Sequence, residues 1–375
     1  MIKALLFAPM SSVHERFNIA NILALRELGA EIHLLANFSC DDHALEYKAK
    51  CINEQMIVHD IPFSRHSLKE NFKYINQIKE LLKKQHFDIV HAHTETGGIL
   101  LRLSMSADKS TKYVYTAHGM SFYKGSSMKS QIVYKPIERF ICKKMDCNIA
   151  INQEEFEILS HWNESTAHLV HGAGFDLDVI ANAVVDIDKK KAELGIPKDR
   201  KLILSVGELN ENKNHRLILE AISKIPCENR PYLLICGEGE KREELKSLAK
   251  SFEYENSVFM PGYRYDMPEI FKIADLFVFP SYHEGLSFAL MQAMAAKLPV
   301  LCTKIRGNIE LLDENLGGYF FQPDDADELS QLISRMLIQS NNSAIGDYNF
   351  TKIQLFSIQC VKRELLDLYR MFHRG

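Results

Sequence analysis

Several features that would mark a membrane, secreted or metal-binding protein are missing from this sequence of 375 residues. No apolar run reaches the ~20 residues that a membrane-spanning helix needs, and the start lacks the apolar core and cleavage site of a signal peptide. The eight cysteines are scattered and form no CxxC pair, so we expect reduced thiols in a cytoplasmic protein rather than a zinc site or a disulfide framework. A net charge of −4 gives no global signature of nucleic-acid binding.

The composition and length instead favour a soluble α/β protein of two domains. The chain is 46% hydrophobic and 25% charged, and it is too long for one ordinary core. Short apolar runs alternate with stretches of helical period, which is typical of doubly wound parallel sheets. The runs expected as buried strands lie at 3–8, 31–36, 56–61, 87–93, 112–118 and 147–152, and, after a pause, at 201–207, 231–237, 257–262, 274–280, 298–303 and 317–321.

The pause predicts where the chain divides. We predict a Rossmann-like N-terminal domain at 1–175, a linker at 176–199 and a second Rossmann-like domain at 200–350. The last helical pattern, at 351–375, is predicted to pack back toward the N-terminal domain. Two such domains are expected to face each other across a cleft, because ligands of open α/β sheets bind at the carboxyl ends of the strands.

Residues suited to chemistry stand just after the predicted strands. They are His93, Glu95, Gly97 and Gly98 in "FDIVHAHTETGG", His118 in "YTAHGMSFYKG", Gly207, Glu208 and Lys213 in "SVGELNENKNHR", and Glu284, Gly285 and Ser287 in "FPSYHEGLS". We predict that His91 and His93 point to opposite faces of their strand, with His91 packed in the core, which makes them a poor metal pair. No metal site and no cofactor are predicted.

The stretch "SYHEGLSFALMQAMA" (281–295) places an acid and a glycine at the start of a predicted helix. Gly285 lets the backbone approach a ligand closely, and the amides of Leu286 and Ser287 have no intrahelical acceptor, so they suit a phosphate. Glu284 suits hydroxyls, and Gln292 lies about two turns along on roughly the same side. These residues thus suit a ligand with a hydroxyl at one end, a phosphate in the middle and a hydroxyl at the other end. A sugar joined through a diphosphate to a ribose is such a ligand. A capped amphipathic helix with a solvated Gln292 is the alternative interpretation.

The same stretch resembles the E-x7-E region of the family-four retaining glycosyltransferases, which have the GT-B fold. The family reads E-G-x-x-x-x-L-x-E-A-M-A, and this chain reads E-G-L-S-F-A-L-M-Q-A-M-A. The segments "SVGELNENKNHRLILEAI", "ICGEGEKREELKSLA" and "MPGYRYDMPEIFKIADLFVFPSYHEGL" are similar to the family's second domain. The segments "FDIVHAHTETGGILLRL" and "YVYTAHGMSFYKG" look like the branch that makes bacterial capsule, exopolysaccharide and O-antigen chains.

The resemblance implies how the donor sugar would be held. Glu284 would bind hydroxyls of the transferred sugar, and the amides of Gly285, Leu286 and Ser287 would hold a sugar hydroxyl and the diphosphate. Lys213 matches the family lysine that neutralises the leaving diphosphate.

Two further matches and two departures complete the implied site. His118 matches the histidine that faces the transferred sugar, and Arg264 lies in the loop that borders the base. The family's second glutamate is Gln292 here, which can still bond a ribose hydroxyl as a neutral and weaker acceptor. The family's common arginine is Glu208, which cannot bind a diphosphate and leaves that charge to Lys213 and the helix terminus.

The resemblance therefore implies a retaining, metal-independent glycosyltransferase that transfers a hexosyl or N-acetylhexosaminyl group. Its donor would be a nucleotide-sugar, namely a UDP-sugar, and its acceptor a growing lipid-linked surface polysaccharide. We further predict that His93 lines the acceptor side and that Glu95, Gly97 and Gly98 form an acceptor loop. Two alternatives remain, a degenerate GT-B subunit that binds a nucleotide-sugar or a partner without catalysis, and a GT-B epimerase acting on UDP-N-acetylglucosamine.

A basic segment at 123–145 follows the "AHG" motif. It interleaves apolar residues with one acid, Glu138, and six cations, namely Lys124, Lys129, Lys135, Arg139, Lys143 and Lys144. This pattern predicts peripheral contact with the anionic inner face of the cytoplasmic membrane, where a lipid-linked acceptor would lie. The alternative is a helix packed by its apolar stripe with solvated lysines. No nucleic-acid partner is predicted.

Overall fold

The computed structural model describes residues 1–65, 67–106, 110–122, 128–339 and 342–373. The chain forms two compact units. The first unit comprises Met1–Gly174 together with the chain from Ile358 onward, and the second comprises Phe175–Ser357. Each unit is built on one parallel sheet, of seven and of six strands. The predicted fold class, two Rossmann-like doubly wound domains, is confirmed.

The first unit contains seven strands, at β1 (Lys3–Met10), β2 (Glu31–Asn37), β3 (Ile57–Asp60), β4 (Ile89–His93), β5 (Lys112–Thr116), β6 (Cys147–Ala150) and β7 (Ala167–Leu169). They pair in the order β3-β2-β1-β4-β5-β6-β7. The connecting helices are α1 (Ser11–Phe17), α2 (Ile19–Glu27), α3 (Asp42–Asn53), α4 (Leu68–Asn71), α5 (Ile75–Gln85), α6 (Thr94–Ser104), α7 (Met128–Cys142) and α8 (Gln153–Asn163). Short 3-10 turns lie at Phe72–Tyr74 and Glu164–Thr166.

An apolar cluster covers each face of this sheet. Leu6 on β1 belongs to the apolar cluster on one face, whereas its neighbours Leu5 and Phe7 belong to the cluster on the other. Because successive side chains of a strand point to opposite faces, a strand covered on both sides reads as an unbroken apolar run. That is why the strands β1, β2, β4, β5 and β6 are predictable from sequence, while the three-residue strand β7 is not. The edge strand β3 is only partly buried.

The second unit repeats this plan with the strands β8 (Leu202–Val206), β9 (Tyr232–Cys236), β10 (Val258–Gly262), β11 (Leu276–Phe279), β12 (Val300–Thr303) and β13 (Gly318–Phe321). They pair in the order β10-β9-β8-β11-β12-β13. The helices are α9 (Asp178–Ala181), α10 (Ile187–Glu193), α11 (His215–Ser223), α12 (Arg242–Ser251), α13 (Met267–Ile273), α14 (Phe288–Ala295), α15 (Arg306–Leu311), α16 (Ala326–Ile338) and α17 (Asn342–Ile353). Short 3-10 turns lie at Cys227–Asn229, Glu255–Ser257 and Gln354–Phe356.

The segment 176–199, predicted as a linker, is part of the second unit. It contains α9 and α10, and it contributes Leu177, Ile180 and Ile196 to the apolar cluster around Phe277. All three side chains are nearly inaccessible to solvent. Turn residues between short apolar groups conceal this packing in the sequence, since neither helix is long enough for a clear period.

The last helix, α18 (Ile358–His373), belongs to the first unit. The side chains of Val361, Leu365 and Tyr369 recur every four residues and are buried in the same cluster as Leu6. Residues four apart share one face of a helix, so this face packs into the core. In place of one helix at 351–375, the described residues contain the end of α17, a 3-10 turn and α18.

The strand order reverses once in each sheet, between β1 and β4 in the first unit and between β8 and β11 in the second. Connections leave such a point in opposite directions and open a crevice at the carboxyl ends of the strands. His93 is the last residue of β4, whereas Lys213 and Glu284 follow β8 and β11. Among the described residues, no helix combines the length and the apolar character needed to cross a membrane.

Candidate functional site

The loops after β8 and β11 bring Lys213 and Glu284 together in the second unit. The ammonium Nζ of Lys213 lies 2.5 Å from Oε1 of Glu284, and the two side chains are only 20% and 13% exposed. Lys213 Nζ also lies 5.0 Å from the ring centroid of Phe279. At Gly207, a Cβ would lie 3.0 Å from Cδ of Lys213, so the glycine leaves room for the lysine stem. The structure thus places these predicted residues at the switch point of the sheet.

Backbone contacts hold the two loops together. The Asn212 carbonyl accepts from the Tyr282 amide at 2.8 Å, and Asn212 Nδ2 donates to the His283 carbonyl at 3.0 Å. The Asn210 side chain accepts from the Lys213 amide at 3.0 Å. Hydrogen bonds on both sides of Lys213 fix its backbone, so the lysine is positioned before any ligand arrives.

The start of α14 presents backbone donors beside this ion pair. Ser287 is the N-cap residue, and its hydroxyl accepts from the Leu290 amide. In the described part of the chain, no acceptor faces the amides of Gly285, Leu286 and Ser287. A Cβ at Gly307 would lie 1.6 Å from the Gly285 carbonyl oxygen, so only a glycine lets α15 approach this loop. The arrangement suits an anion at the helix terminus.

Gln292 and Glu208 make no ion pair or hydrogen bond with Lys213 among the described residues. Gln292 is half-buried on α14, and Glu208 is exposed directly after Gly207. The partner of Lys213 is Glu284 and not Glu208. Glu208 is left to interact with solvent or ligand.

Arg264 is held by acidic neighbours. Its Nε and Nη2 lie 2.8 and 2.6 Å from the two carboxylate oxygens of Asp266, and Nη2 lies 3.0 Å from Glu193 Oε1. Lys190 completes the group, 2.9 Å from Asp266. These cations hold the pKa of the Asp266 carboxyl well below its usual range, chiefly through the bond from Arg264. Arg264 therefore needs no ligand to be fixed in place.

Three histidines meet at the ends of β4 and β5 in the first unit. His93 Nδ1 lies 2.9 Å from His118 Nε2, and the rings of His91 and His93 stack with centroids 4.1 Å apart. The prediction that His91 and His93 point to opposite faces is wrong, because residues two apart on a strand share a face. His91 is nevertheless packed in the core, as expected, and it is fully buried.

Glu95, Gly97 and Gly98 lie in the first turns of α6 and not in a loop. Glu95 Oε2 accepts from the Ser121 hydroxyl at 3.4 Å, and burial raises the pKa of the Glu95 carboxyl. The two glycines are buried. A Cβ at Gly98 would lie 2.7 Å from the ring of Tyr115, so this glycine allows α6 to pack on β5. The predicted acceptor loop is corrected to a buried helix.

The basic segment begins at 123, but residues 123–127, including Lys124, lie outside the described residues. The exposed side of α7 and the turn after it carries the apolar side chains Met128, Ile132, Val133 and Phe140 and the cations Lys129, Lys135, Arg139, Lys143 and Lys144. The acid Glu138 is turned inward, where both carboxyl oxygens accept from the Tyr115 hydroxyl at 3.2 and 3.0 Å. Burial raises the pKa of Glu138 to about 8. The exposed face of α7 is therefore cationic and apolar.

No group of three or more His, Cys, Asp or Glu side chains is arranged to hold a metal ion in the ranges that the structure describes.

Comparison with known proteins identifies the family. The description "Glycosyl transferases group 1" matches residues 186–349, and "Glycosyltransferase Family 4" matches residues 15–178. The chain is 30% identical over 277 residues to the UDP-Gal:alpha-D-GlcNAc-diphosphoundecaprenol alpha-1,3-galactosyltransferase of Escherichia coli, covering 72% of this chain and 71% of that protein. This chain belongs to the group 1 glycosyltransferases. It is also 27% identical over 347 residues to EpsD of Bacillus subtilis (strain 168), covering 90% and 88% of the two chains.

Solved structures share the fold of this glycosyltransferase over nearly its whole length. A glycosyltransferase from Rickettsia africae ESF-5 has a TM-score of 0.79 at 19% identity, covering 100% of this chain and 99% of that chain. Anabaena Alr3699/HepE in complex with UDP has a TM-score of 0.78 at 17% identity, covering 99% and 100%. At these identities the likeness concerns the fold, and it agrees with the predicted GT-B class.

Sequence reasoning overlooked Gly307 and Tyr369. Gly307 lies in the first turn of α15, shortly after β12, and a glycine at such a position is a signal for close backbone approach that the sequence does carry. Tyr369 contacts His91 from 278 positions away, and no local pattern could have indicated this contact.

Proposed function

We propose that this glycosyltransferase is a retaining enzyme that transfers a sugar from a UDP-sugar to a growing lipid-linked surface polysaccharide. The observation that carries the proposal is the Lys213–Glu284 pair, which lies beside the unpaired amides of residues 285–287 at the switch point of the second sheet. A cation and backbone donors beside a carboxylate match a ligand in which a diphosphate adjoins sugar hydroxyls.

Each group in the second unit has a part in this proposal. Lys213 and the amides of 285–287 bind the diphosphate, and Glu284 accepts hydrogen bonds from hydroxyls of the transferred sugar. Gln292 binds a ribose hydroxyl, and Arg264 borders the base. When the diphosphate binds, the ammonium of Lys213 exchanges part of its contact with Glu284 for contact with phosphate oxygens. Glu284 is thereby released to accept from the sugar.

The chemistry follows from where charge develops. The bond between the anomeric carbon and the diphosphate oxygen breaks, and its electron pair stays on the diphosphate. Preorganised donors at that oxygen lower the barrier, and Lys213 with the helix-terminal amides provides them. The acceptor oxygen attacks from the face that the diphosphate leaves, and a phosphate oxygen takes its proton. Configuration is retained, and the reaction requires neither an enzymic base nor a metal ion.

The names of related proteins support the proposed substrates. The E. coli relative is named for a UDP-galactose donor and an acceptor on diphosphoundecaprenol. A Campylobacter jejuni protein, 30% identical over 163 residues, is named for transfer to a diphospho-undecaprenol-linked sugar, although the matched region covers only 43% of this chain and 44% of that protein. HepE has been solved with UDP and with UDP-glucose. A UDP-sugar and a lipid-diphosphate acceptor are therefore the substrates to test first.

The first unit is proposed to serve the acceptor and the membrane. His118 faces the transferred sugar, with His93 and Glu95 on the acceptor side. The exposed face of α7 combines five cations of the helix and its following turn with apolar side chains, and it has no acid. Such a face suits peripheral docking on anionic lipid, where a polyprenyl-diphosphate acceptor is embedded. The protein is accordingly proposed to work at the cytoplasmic face of the membrane.

The test is single-protein turnover. Purified protein is incubated with UDP-galactose, UDP-glucose or their N-acetyl forms and a diphosphoundecaprenol-linked sugar, with EDTA present and absent. We expect release of UDP only when donor and acceptor are both present, equal rates with EDTA, and an α-linked product. UDP-sugar binding without turnover would instead support a non-catalytic subunit, which Glu208 and Gln292 favour. Turnover of UDP-N-acetylglucosamine without acceptor would support an epimerase.

A further inference from the structure

A chain of buried polar side chains connects β4 to the last helix of the first unit. His91 is fully buried on β4. Its Nδ1 lies 2.8 Å from the hydroxyl of Tyr369 on α18, and its Nε2 lies 2.7 Å from Oγ1 of Thr116 on β5. The Tyr369 hydroxyl lies 2.7 Å from Oδ1 of Asn21 on α2. Four separate elements therefore meet at two polar groups, a histidine ring and a tyrosine hydroxyl.

The hydrogen-bond partners determine where the protons are. Asn21 Nδ2 donates to Asn18 at 3.3 Å, which identifies Asn21 Oδ1 as an acceptor. Tyr369 therefore donates to Asn21 and must accept from His91 Nδ1–H. The Nε2 of His91 then carries no proton and accepts from the Thr116 hydroxyl. Burial lowers the pKa of His91 to about 3, which agrees with a neutral ring. His91 is fixed in one tautomer and one orientation.

This fixed ring supports the histidine pair at the site. The His91 ring stacks on the His93 ring at 4.1 Å, and His93 Nδ1 lies 2.9 Å from His118 Nε2. The Phe17 ring packs at 5.3 Å from the His118 ring, so His118 is also held by a neighbour outside the pair. The His93 ring thus lies between the fixed ring of His91 and the ring of His118.

The histidine pair has one unpartnered nitrogen at each end. His93 Nε2 and His118 Nδ1 are buried and have no hydrogen-bond partner among the described residues. Burial lowers the pKa of His93 well below its usual value and that of His118 to about 4, so both rings are neutral at pH 7. One proton lies in the bond between the rings, and the other lies on one of the two outer nitrogens. The pair therefore has one donor nitrogen and one acceptor nitrogen at its two ends, and the tautomer of His93 determines which of the two His118 carries.

We infer that His93 is a positioning residue that fixes the orientation of His118 and couples the tautomer of His118 to its own, and that His91 and Tyr369 hold His93 in place. The inference rests on the proposed function, in which His118 faces the transferred sugar. It assigns α18 a part in preparing the sugar site, although Tyr369 itself touches no reacting atom. A neutral His118 also places no positive charge beside the sugar carbon on which positive charge develops.

The first test reads the rings directly and does not depend on turnover. Protein labelled with 15N-histidine is examined by two-bond 1H–15N spectra, which distinguish Nδ1–H from Nε2–H tautomers. We expect His93→Leu and Tyr369→Phe to change the ring-nitrogen shifts of His118, and His93→Asn, whose amide can replace Nδ1, to restore them. His161→Leu and Tyr265→Phe, at exposed positions, serve as controls. Unchanged His118 shifts in folded His93→Leu and Tyr369→Phe would overturn the inference.

The second test separates positioning from general destabilisation. His93→Leu should lower kcat by up to ~10²-fold, the scale of a misplaced group near the reacting centre, with little change in KM for the donor. In a His118→Ala background, His93→Leu should lower kcat by less than about twofold. A residue that acts only through His118 has no effect once the His118 ring is absent. Equal losses in both backgrounds would refute the positioning role. If wild-type protein transfers no sugar, the proposed function fails, while the ring-nitrogen shifts still decide whether His93 positions His118.

Discussion

Lys213 and Glu284 are 71 positions apart in the chain, yet their charged groups are 2.5 Å apart at the carboxyl edge of the second sheet. Neither residue is on a strand or a helix, since each lies in the loop after one of two adjacent strands, β8 and β11. The contact exists because the strand order reverses between these strands. The pair is therefore a product of topology, and it is the natural target of the first substitutions.

Lys213→Ala and Glu284→Ala should each lower turnover of the UDP-sugar by at least ~10²-fold, the scale of losing one preorganised transition-state donor. The matched control is Lys297→Ala, which removes an exposed lysine paired with Asp347 in the same unit. Initial rates are compared at saturating donor, and urea unfolding verifies that each variant folds. Normal rates in folded Lys213→Ala and Glu284→Ala would show that the site lies elsewhere.

Gln292→Glu should preserve or tighten the binding of UDP, because it provides a charged acceptor for the ribose hydroxyl. Isothermal titration of UDP gives the Kd for both proteins, and Gln322→Glu, at an exposed glutamine of the second unit, serves as control. A weaker Kd for correctly folded Gln292→Glu would mean that Gln292 has a different role in this chain.

Glu138 makes the first unit less stable as pH rises. Burial raises its pKa from 4.5 to about 8, with smaller effects of Glu95 and Glu155 in the same direction and an opposing effect of the bond from Tyr115. Between pH 4.5 and about pH 8 the folded state keeps the Glu138 proton, whereas the unfolded state releases it. The stability that this group contributes below pH 4.5 is therefore lost progressively as pH rises to about 8. The slope approaches about 1.4 kcal/mol per pH unit.

Glu138→Gln should remove this component of the pH dependence, since a neutral amide keeps an acceptor for Tyr115. Urea unfolding at pH 5.5, 6.5, 7.5 and 8.5 compares the variant with wild type and with Glu80→Gln, an exposed control. We expect the free energy of unfolding of Glu138→Gln to increase relative to that of wild type as pH rises. Parallel stability curves would contradict the assignment of a proton to buried Glu138 at neutral pH.

Gly98→Ala should destabilise the protein by about 1–3 kcal/mol, the usual cost of overpacking a core. Its Cβ would lie 2.7 Å from the Tyr115 ring and 2.9 Å from Cγ2 of Ile141. The neighbouring Gly97→Ala is the control, because its Cβ would lie no closer than 3.5 Å to its neighbours. Thermal unfolding should show a lower Tm for Gly98→Ala alone. Equal Tm values for the two variants would rule out the tight packing of α6 on β5.

The exposed face of α7 should bind liposomes that contain anionic lipid and should release them as salt rises. Each basic residue near such a surface contributes about 1 kcal/mol, so changing Lys129, Lys135, Lys143 and Lys144 to glutamine should nearly abolish sedimentation with the liposomes. The control replaces four exposed lysines elsewhere in the first unit, at Lys50, Lys69, Lys83 and Lys84. Binding to neutral liposomes, or equal loss in the control, would exclude this docking mode.

The sequence predicts the fold and the second-unit site well because both depend on local patterns. Buried parallel strands produce apolar runs, and a glycine beside Glu284 at the start of a helix is a signal within a few residues. The first unit was harder to predict. The glycines of "TETGG" suggest a loop, yet α6 forms there because Gly98 is packed against Tyr115, and tertiary contacts override the weak helix propensity of glycine.

The contacts of His91 show what local reasoning cannot reach. Its strand position implies burial, but its hydrogen bond to Tyr369 depends on a helix 278 residues later in the chain. The packing of 176–199 into the cluster around Phe277 likewise depends on residues distant in the chain. These features follow from the packing of complete units, which no window of the sequence contains.

The position of α18 has a consequence for biosynthesis. The second unit is one continuous segment, whereas the first unit needs Val361, Leu365 and Tyr369 to complete its core. Domains fold as units while the chain is being made. The second unit can therefore complete its core before the first, although it is translated later. The histidine pair of the first unit acquires its anchor only after Tyr369 has left the ribosome.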